Sequence, residues 1–190
     1  MTGERRGRVI LLNGASSSGK TSIGRALLPL LAEPWFFVPM DAIGEMRSTV
    51  HTRVLDDGEI EAMLVRTRVG YHRLVAGLAS AGNDVIMDYP LSESWRVADL
   101  VATLDGFDVT LVEVRCSAEE LERRERARGD RPVGLARSQA AIYALGAWDI
   151  AVDTTNTTPA ECARIIVREL DRLTEPNAFA RLREQQAREQ

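Results

Sequence analysis

The chain has 190 residues, 45% of them apolar, and a formal net charge of −4. That length suits one domain with a sizeable core; the acidic balance, with arginines and acids mixed along the chain, argues against a nucleic-acid footprint. No stretch approaches a membrane span, MTGERRGR is not followed by a secretory apolar region, and Cys116 and Cys162 are too few and too far apart for a disulfide framework or a zinc site, so the expectation is a reduced, cytoplasmic setting.

In chain order, residues 1–7 read as a polar start and Arg8 to Asn13 as a short buried strand. A glycine-rich loop follows, then a helix from about Gly19 to Leu31 whose end Pro29 should make irregular. Trp35 to Met40 reads as a second buried strand that neighbours the loop and delivers Asp41 at its carboxyl tip. Residues 42–58 read as irregular and polar, with a turn at Asp56-Asp57-Gly58. A long helical pattern runs from Glu59 to Ala81 and stops at Gly82.

Val85 to Asp88 is a third strand, Ser92 to Leu104 a helix, and Phe107 to Val114 a fourth strand. Ser117-Ala-Glu-Glu120 is a capping box opening an arginine-rich helix to Arg128, which Gly129 and Pro132 break. Residues 138–145 suggest a further short helix, and Ile150 to Asp153 a fifth strand. Thr158 to Glu161 is a second capping box with Pro159 at the first helical position. The last core helix runs to about Leu173, and residues 174–190 read as a loose tail or an exposed extra helix. Alternating strands and helices, with strands that are apolar throughout, predict an α/β fold: a five-stranded parallel sheet with helices on both faces.

The chemistry centres on Gly14-Ala15-Ser16-Ser17-Ser18-Gly19-Lys20-Thr21, followed by Ser22. This is G-x-x-x-x-G-K-[ST] between a strand and a helix, the Walker A pattern in the context that supports it. The glycines permit backbone conformations that a Cβ would block. Successive N–H groups and the positive end of the new helix then face a polyphosphate. Lys20, the only lysine among 24 basic residues, reaches the β and γ phosphates as a flexible point charge that arginine does not replace well. The Thr21 hydroxyl is a Mg²⁺ ligand in this reading, and the donor is a nucleoside triphosphate such as ATP.

Phosphoryl transfer further needs a metal acid, a group that orients the acceptor, and positive charge over the transferring phosphate. Asp88, an acid after an apolar strand, fits the first role; a turn acid before Pro90 is the plainer alternative. Asp41 fits the second as a receiver of the acceptor hydroxyl's proton, and reads equally as a cap or turn acid. Arg124, Arg128 and Arg131 around Gly129 fit a lid carrying arginine fingers, against a solvated helix with interleaved Glu122 and Glu125. His51 and His72 form no metal pair and read as ordinary surface or core histidines.

The stretches LNGASSSGKTSIGRAL, EPWFFVPMDAI, VIMD, VEVRCSAEELERRERARGDRPVGLARSQ and YALGAWDIAVDTTNTTPAECARII resemble the chloramphenicol phosphotransferase-like small-molecule kinases from Arg8 to about Leu170. The resemblance implies a compact nucleoside-kinase-like P-loop fold with ATP and Mg²⁺, and transfer to a primary hydroxyl of an antibiotic. It implies that Asp41 is the catalytic base, Lys20 the phosphate lysine and Arg124, Arg128 and Arg131 lid contacts. It also implies that the loop from Asp153 through Thr155 to Asn156 lies near the adenine. The chain departs from the family pattern at Tyr89, where a second acid follows the third strand, and across residues 47–60.

The leading expectation is therefore an ATP-dependent kinase of a small hydroxylated molecule, with antibiotic resistance as its context. The alternative is a kinase of a nucleoside, nucleotide or central metabolite on the same fold. A nucleotide-binding switch is a third reading, against which Asp41 and the arginines speak. The partner expected is a small-molecule acceptor, with no nucleic acid and no membrane; the oligomeric state is open, a homodimer included.

Overall fold

The computed structural model describes residues 5–128, 146, 148–174 and 178–188. Its parallel strands are β1 (Val9–Asn13), β2 (Trp35–Pro39), β3 (Asp84–Asp88), β4 (Val109–Arg115) and β5 (Ile150–Asp153), in the spatial order β2-β3-β1-β4-β5. The helices are α1 (Lys20–Leu27), α2 (Met40–Glu45), α3 (Thr49–Thr52), α4 (Asp57–Ser80), α5 (Ser94–Thr103), α6 (Ala118–Arg128), α7 (Pro159–Leu170) and α8 (Ala178–Arg188).

Successive side chains of a strand point to opposite faces, and here both faces are covered. Val9, Leu11, Val85 and Met87 pack with residues of α4, α5 and α8. Ile10, Leu12, Ile86 and Val112 pack with Ile23 and Leu27 of α1 and Cys162 and Ile166 of α7. Two-sided burial is why the strands at the centre of the sheet, β1 (VILLN) and β3 (DVIMD), carry continuous apolar runs rather than alternating ones, whereas β5 at the edge alternates buried and exposed residues.

The expected five-stranded α/β sheet is present, with four local corrections. First, β2 is an edge strand, not a buried one: its residues are only partly buried and Phe36 is exposed. It is also not the neighbour of β1, because β3 lies between them. Pro39 suits an edge, where a missing N–H costs no ladder hydrogen bond. Second, residues 42–58 are not simply irregular, for α2 and α3 occupy much of them. Asp56, read as part of a turn, caps α4 reciprocally with Glu59. Third, the capping box at Ser117 is half formed. The Glu120 N–H donates to Ser117 Oγ at 3.3 Å, but the Glu120 carboxylate turns to Arg123 and Arg124. The Thr158–Glu161 box is complete.

Fourth, residues 178–188 form an extra helix, the second of the two alternatives for the tail, but one face of it is buried rather than exposed. Phe179 and Leu182 of α8 are buried in the cluster with α4 and α5. Asp149 ties this helix to the sheet: its two carboxylate oxygens accept from the Ala178 and Leu111 N–H groups, each at 2.9 Å. The expected short helix at 138–145 lies outside the described residues.

The order β2-β3-β1-β4-β5 places a switch point between β1 and β3, whose connections leave toward opposite edges of the sheet. Ligands of open α/β sheets bind outside the carboxyl ends of strands at such a point.

Candidate active site

The carboxyl end of β1 runs into the glycine-rich loop. At Gly14 a Cβ would lie 2.4 Å from the Val114 carbonyl oxygen and 2.8 Å from Ser18 Oγ, so only glycine fits against β4. Ser17 and Gly19 take left-handed backbone angles, φ 62° and 94°, which curl the loop before α1 begins. Gly19 occupies the cap position of α1, with no side-chain cap hydrogen bond. The buried hydroxyls of Ser17 and Ser18 have no hydrogen-bond partner among the described residues. A curled loop, an uncapped helix start and unpaired hydroxyls are what an anion would satisfy.

Lys20 is buried at the start of α1, and its Nζ donates to the Ala15 carbonyl at 2.8 Å. The same Nζ lies 3.8 Å from Asp88 Oδ1. Thr21 Oγ1 donates to Asp88 Oδ2 at 2.5 Å. Register explains the meeting. Asp88 is paired with Leu12 on one side and with Pro39 on the other. The end of β3 therefore stands between the glycine-rich loop that follows β1 and the start of α2 that follows β2. Asn13 strengthens the join, its Oδ1 accepting from the Leu91 N–H at 2.8 Å.

Asp41 lies in the first turn of α2, not at a strand tip. It does not cap that helix, whose cap position is Pro39 with no side-chain cap bond. It is exposed on the wall of a cleft of about 700 Å³, together with Met40, Gly44 and Arg47. The same cleft is lined by Ser16, Ser17, Gly19, Lys20, Thr21 and Ser22 of the glycine-rich loop and α1, and by Asp88. The structure thus brings Lys20, Thr21, Asp88 and Asp41 to one cavity. Gly14, Ala15 and Ser18 shape the loop from beneath without lining the cleft.

Of the three arginines expected in a lid, Arg124 is described in full. Its Nε donates to Glu120 at 2.8 Å, its Nη1 to Ser17 O at 3.3 Å and to Thr154 Oγ1 at 3.1 Å, and its Nη2 to Thr154 O at 2.6 Å. Arg124 therefore clasps α6, the glycine-rich loop and the loop after β5 together. Hydrogen bonds from Arg123 and Arg124 hold the Glu120 carboxyl at about 2. The Arg128 side chain and Arg131 lie outside the described residues.

Asp153 and Thr155 do not line the cleft; Thr154 between them does. Asp153 accepts from the Thr155 N–H at 2.7 Å, and Thr155 Oγ1 accepts from the Ser117 N–H at 2.9 Å. These two side chains shape the loop and the start of α6. Thr154 hydrogen-bonds Ser18 O at 2.8 Å, a contact that no sequence signal singled out. Sequence reasoning also missed Arg96 and Arg123, which line the cleft; each sits in a helix where a charged residue reads as solvated surface.

Among the described residues no helix is long and apolar enough to cross a membrane, and no cluster of three or more His, Cys, Asp or Glu side chains could hold a metal. The oxygen donors at Thr21 and Asp88 suit a hard cation that takes few protein ligands.

A protein of Mycobacterium tuberculosis, named as a candidate O-phosphotransferase, is 32% identical over 207 aligned positions, covering 96% of this chain and 91% of the relative. The fold is shared with solved kinases. The structure of Mycobacterium tuberculosis APS kinase CysC in complex with AMPPNP and APS is similar at a TM-score of 0.60 and 16% identity, over 87% of this chain and 98% of that one. The Deinococcus radiodurans tunicamycin resistance protein is similar at 0.64 and 18%, over 90% and 99%. Residues 7–171 match the family model of chloramphenicol phosphotransferase-like proteins. With the glycine-rich loop, the switch-point cleft and the kinase fold already in place, the chain belongs to the chloramphenicol phosphotransferase-like family and is a P-loop phosphotransferase.

Proposed function

We propose that this protein transfers the γ-phosphate of ATP to a hydroxyl group of a small molecule. The observation that carries the reading is that the Lys20, Thr21 and Asp88 cluster lines one cleft together with Asp41. The loop N–H groups and Lys20 hold the phosphates, and the hydroxyls of Ser17 and Ser18 are available to them. Thr21 and Asp88 would hold Mg²⁺, which neutralises charge on the β and γ phosphates when bound.

Asp41 orients the acceptor hydroxyl and takes its proton as the new O–P bond forms and ADP leaves. An ordinary carboxylate is a weak base for an alcohol, but a loose transition state asks for orientation more than for early deprotonation. Arg124 supplies positive charge from α6 by exchanging its carbonyl partners for phosphate oxygens, and the family relationship gives Arg128 and Arg131 the same charge-neutralising role. The loop holding Asp153 and Thr155 borders the nucleotide base. ATP dependence agrees with a cytoplasmic setting.

The family relationship favours an antibiotic such as chloramphenicol as acceptor. A nucleoside, nucleotide or central metabolite is the second reading, and Arg47, Arg68 and Arg96 in the acceptor half of the cleft favour it. A coupled ADP-release assay with Mg²⁺-ATP tests both. Hydroxylated antibiotics, nucleosides, nucleotides and hydroxy acids are the panel, and Lys20→Met is the control that should abolish turnover. Full turnover in that variant would contradict the donor-site assignment.

A further inference from the structure

The acceptor half of the cleft carries an imbalance of charge that phosphate binding does not explain. It is walled by Asp41 and by three arginines drawn from separate parts of the fold: Arg47 after α2, Arg68 of α4 and Arg96 of α5. Arg47 donates to Thr67 Oγ1 at 3.2 Å. Arg96 is 5% exposed; it pairs with Glu93 and donates to the Pro90 carbonyl at 3.2 Å, while its buried Nε has no hydrogen-bond partner among the described residues. Arg68, half-buried, makes no hydrogen bond or ion pair among the described residues. Burial and the nearby charge of Arg96 lower its pKa.

The third component is Tyr89. Its ring is fully buried, its guanidinium neighbour Arg96 sits 5.8 Å from the ring centroid, and its hydroxyl has no hydrogen-bond partner among the described residues. A phenol is neutral at pH 7, so Tyr89 offers an unpaired O–H donor beside the Arg96 guanidinium in the cleft that Arg68 also lines. A buried polar group without a partner costs free energy, and a like-charge pair in a partly desolvated wall costs more. One oxyanion reaching Arg68 relieves the charge repulsion and gives the planar fork a partner. Arg68, Tyr89 and Arg96 line the same cleft as Asp88 and Lys20, so a molecule held by this cluster shares its cavity with the phosphate site.

We propose that Arg68, with Arg96 and Tyr89, forms an oxyanion subsite, so that the acceptor is a hydroxylated molecule bearing a carboxylate or a phosphate group rather than a neutral one. This rests on the phosphotransfer reading for the word acceptor, but the subsite itself does not. Neutral hydroxylated compounds leave Arg68 unpaired and are poor acceptors.

The test separates the subsite from the reaction. With the nucleotide site saturated by Mg²⁺-AMPPNP, inorganic phosphate and a simple hydroxy acid are titrated against the full chain. Tryptophan fluorescence is read in a Trp35→Phe, Trp148→Phe background, which leaves Trp95, whose ring lies 5.8 Å from the Arg96 guanidinium. The expected result is saturable binding that Arg68→Gln weakens about tenfold or more and Arg68→Lys weakens less. Arg68→Gln should also melt no lower than the wild type, because the residue has no internal partner to lose. Stronger binding of phosphate than of the hydroxy acid, or the reverse, identifies which oxyanion the subsite takes.

In parallel, ADP release is measured with acceptor pairs that differ only in the anion: a hydroxy acid and its amide, a polyol phosphate and the free polyol. Higher kcat/KM for the anionic members, lost in Arg68→Gln through KM, is the expected outcome. Equal use of neutral and anionic members with no effect of Arg68→Gln would overturn the subsite and leave the phosphotransfer reading standing. Anion binding that Arg68→Gln weakens, without ADP release from any pair, would support the subsite and count against the phosphotransfer reading. Equal anion binding by wild type and Arg68→Gln would overturn the subsite whatever the turnover shows.

Discussion

Thr21 and Asp88 come from opposite ends of the first half of the chain, yet the Thr21 hydroxyl donates to the Asp88 carboxylate at 2.5 Å. Parallel pairing of β1 with β3 makes this contact, since Leu12 and Asp88 are register partners. The hydroxyl–carboxylate pair, with Lys20 Nζ 3.8 Å away, is the polar centre of the switch-point cleft. Asp88→Asn should lower turnover by about a hundredfold or more, the scale of removing one electrostatic stabiliser from a transition state. AMPPNP binding measured without Mg²⁺ should change little. A variant that keeps wild-type turnover would exclude Asp88 from the metal site.

Arg124 joins α6 to two loops through three hydrogen bonds, to Ser17 O and to Thr154 Oγ1 and O. Arg124→Ala should loosen that clasp. Hydrogen exchange should rise in residues 118–128 and 154–156, and KM for ATP should rise several-fold, on the order of one or two charged hydrogen bonds partly replaced by water. Unchanged exchange in both segments would show that the clasp does not hold them.

Phe179 is 7% exposed in the cluster shared by α4, α5 and α8. Phe179→Ala should destabilise the fold by about 3 kcal/mol or more, through lost burial and the cavity left behind. Urea denaturation measures it. A loss below about 1 kcal/mol would mean that α8 contributes little to the core. At a temperature where the variant stays folded, ADP release should match the wild type, since α8 lies away from the cleft.

His72 is fully buried, with Nδ1 2.6 Å from Asp99 Oδ2. Burial lowers its pKa, and Asp99 reverses only part of that shift. In the unfolded chain the imidazole titrates near its ordinary value of about 6.5. Between the lowered native pKa and that value the unfolded state binds the extra proton, so stability rises with pH through this window. It is fully present above about 6.5 and is lost as pH falls below it. Asp99 behaves differently. Burial would raise its carboxyl, but hydrogen bonds from His72 and Arg73 hold it below the usual range, so its contribution is lost only at lower pH still. The urea midpoint should therefore fall between about pH 7.5 and pH 5, and His72→Gln should flatten that fall. An equally steep fall in the variant would assign the sensitivity elsewhere.

The glycine-rich loop was legible in the sequence because its residue spacing encodes a backbone path: Gly14 has no room for a Cβ, and Gly19 has a left-handed φ. Asp88 was legible because an acid closing an apolar strand marks a strand end. Strand order was not, since periodicity says nothing about neighbours. Trp35-Phe36-Phe37-Val38 reads as a buried strand, yet β2 lies at the sheet edge with β3 between it and β1. The role of α8 was hidden because Ala178, Phe179 and Leu182 stand alone among arginine, glutamate and glutamine. Arg68 and Arg96 were illegible as a pair, because only the packing of α4 against α5 brings them to one wall.

Phosphotransfer to an acceptor hydroxyl oriented by Asp41 leaves a phosphate ester as its product. The most direct measurement is phosphorus NMR of the product mixture formed from Mg²⁺-ATP and the best acceptor, by wild type and by Asp41→Asn. The wild type should yield a new phosphate ester. Asp41→Asn should yield almost none, although it keeps AMPPNP binding. An undiminished yield of ester from Asp41→Asn, or a wild type that yields only ADP and inorganic phosphate with every acceptor, would contradict that mechanism.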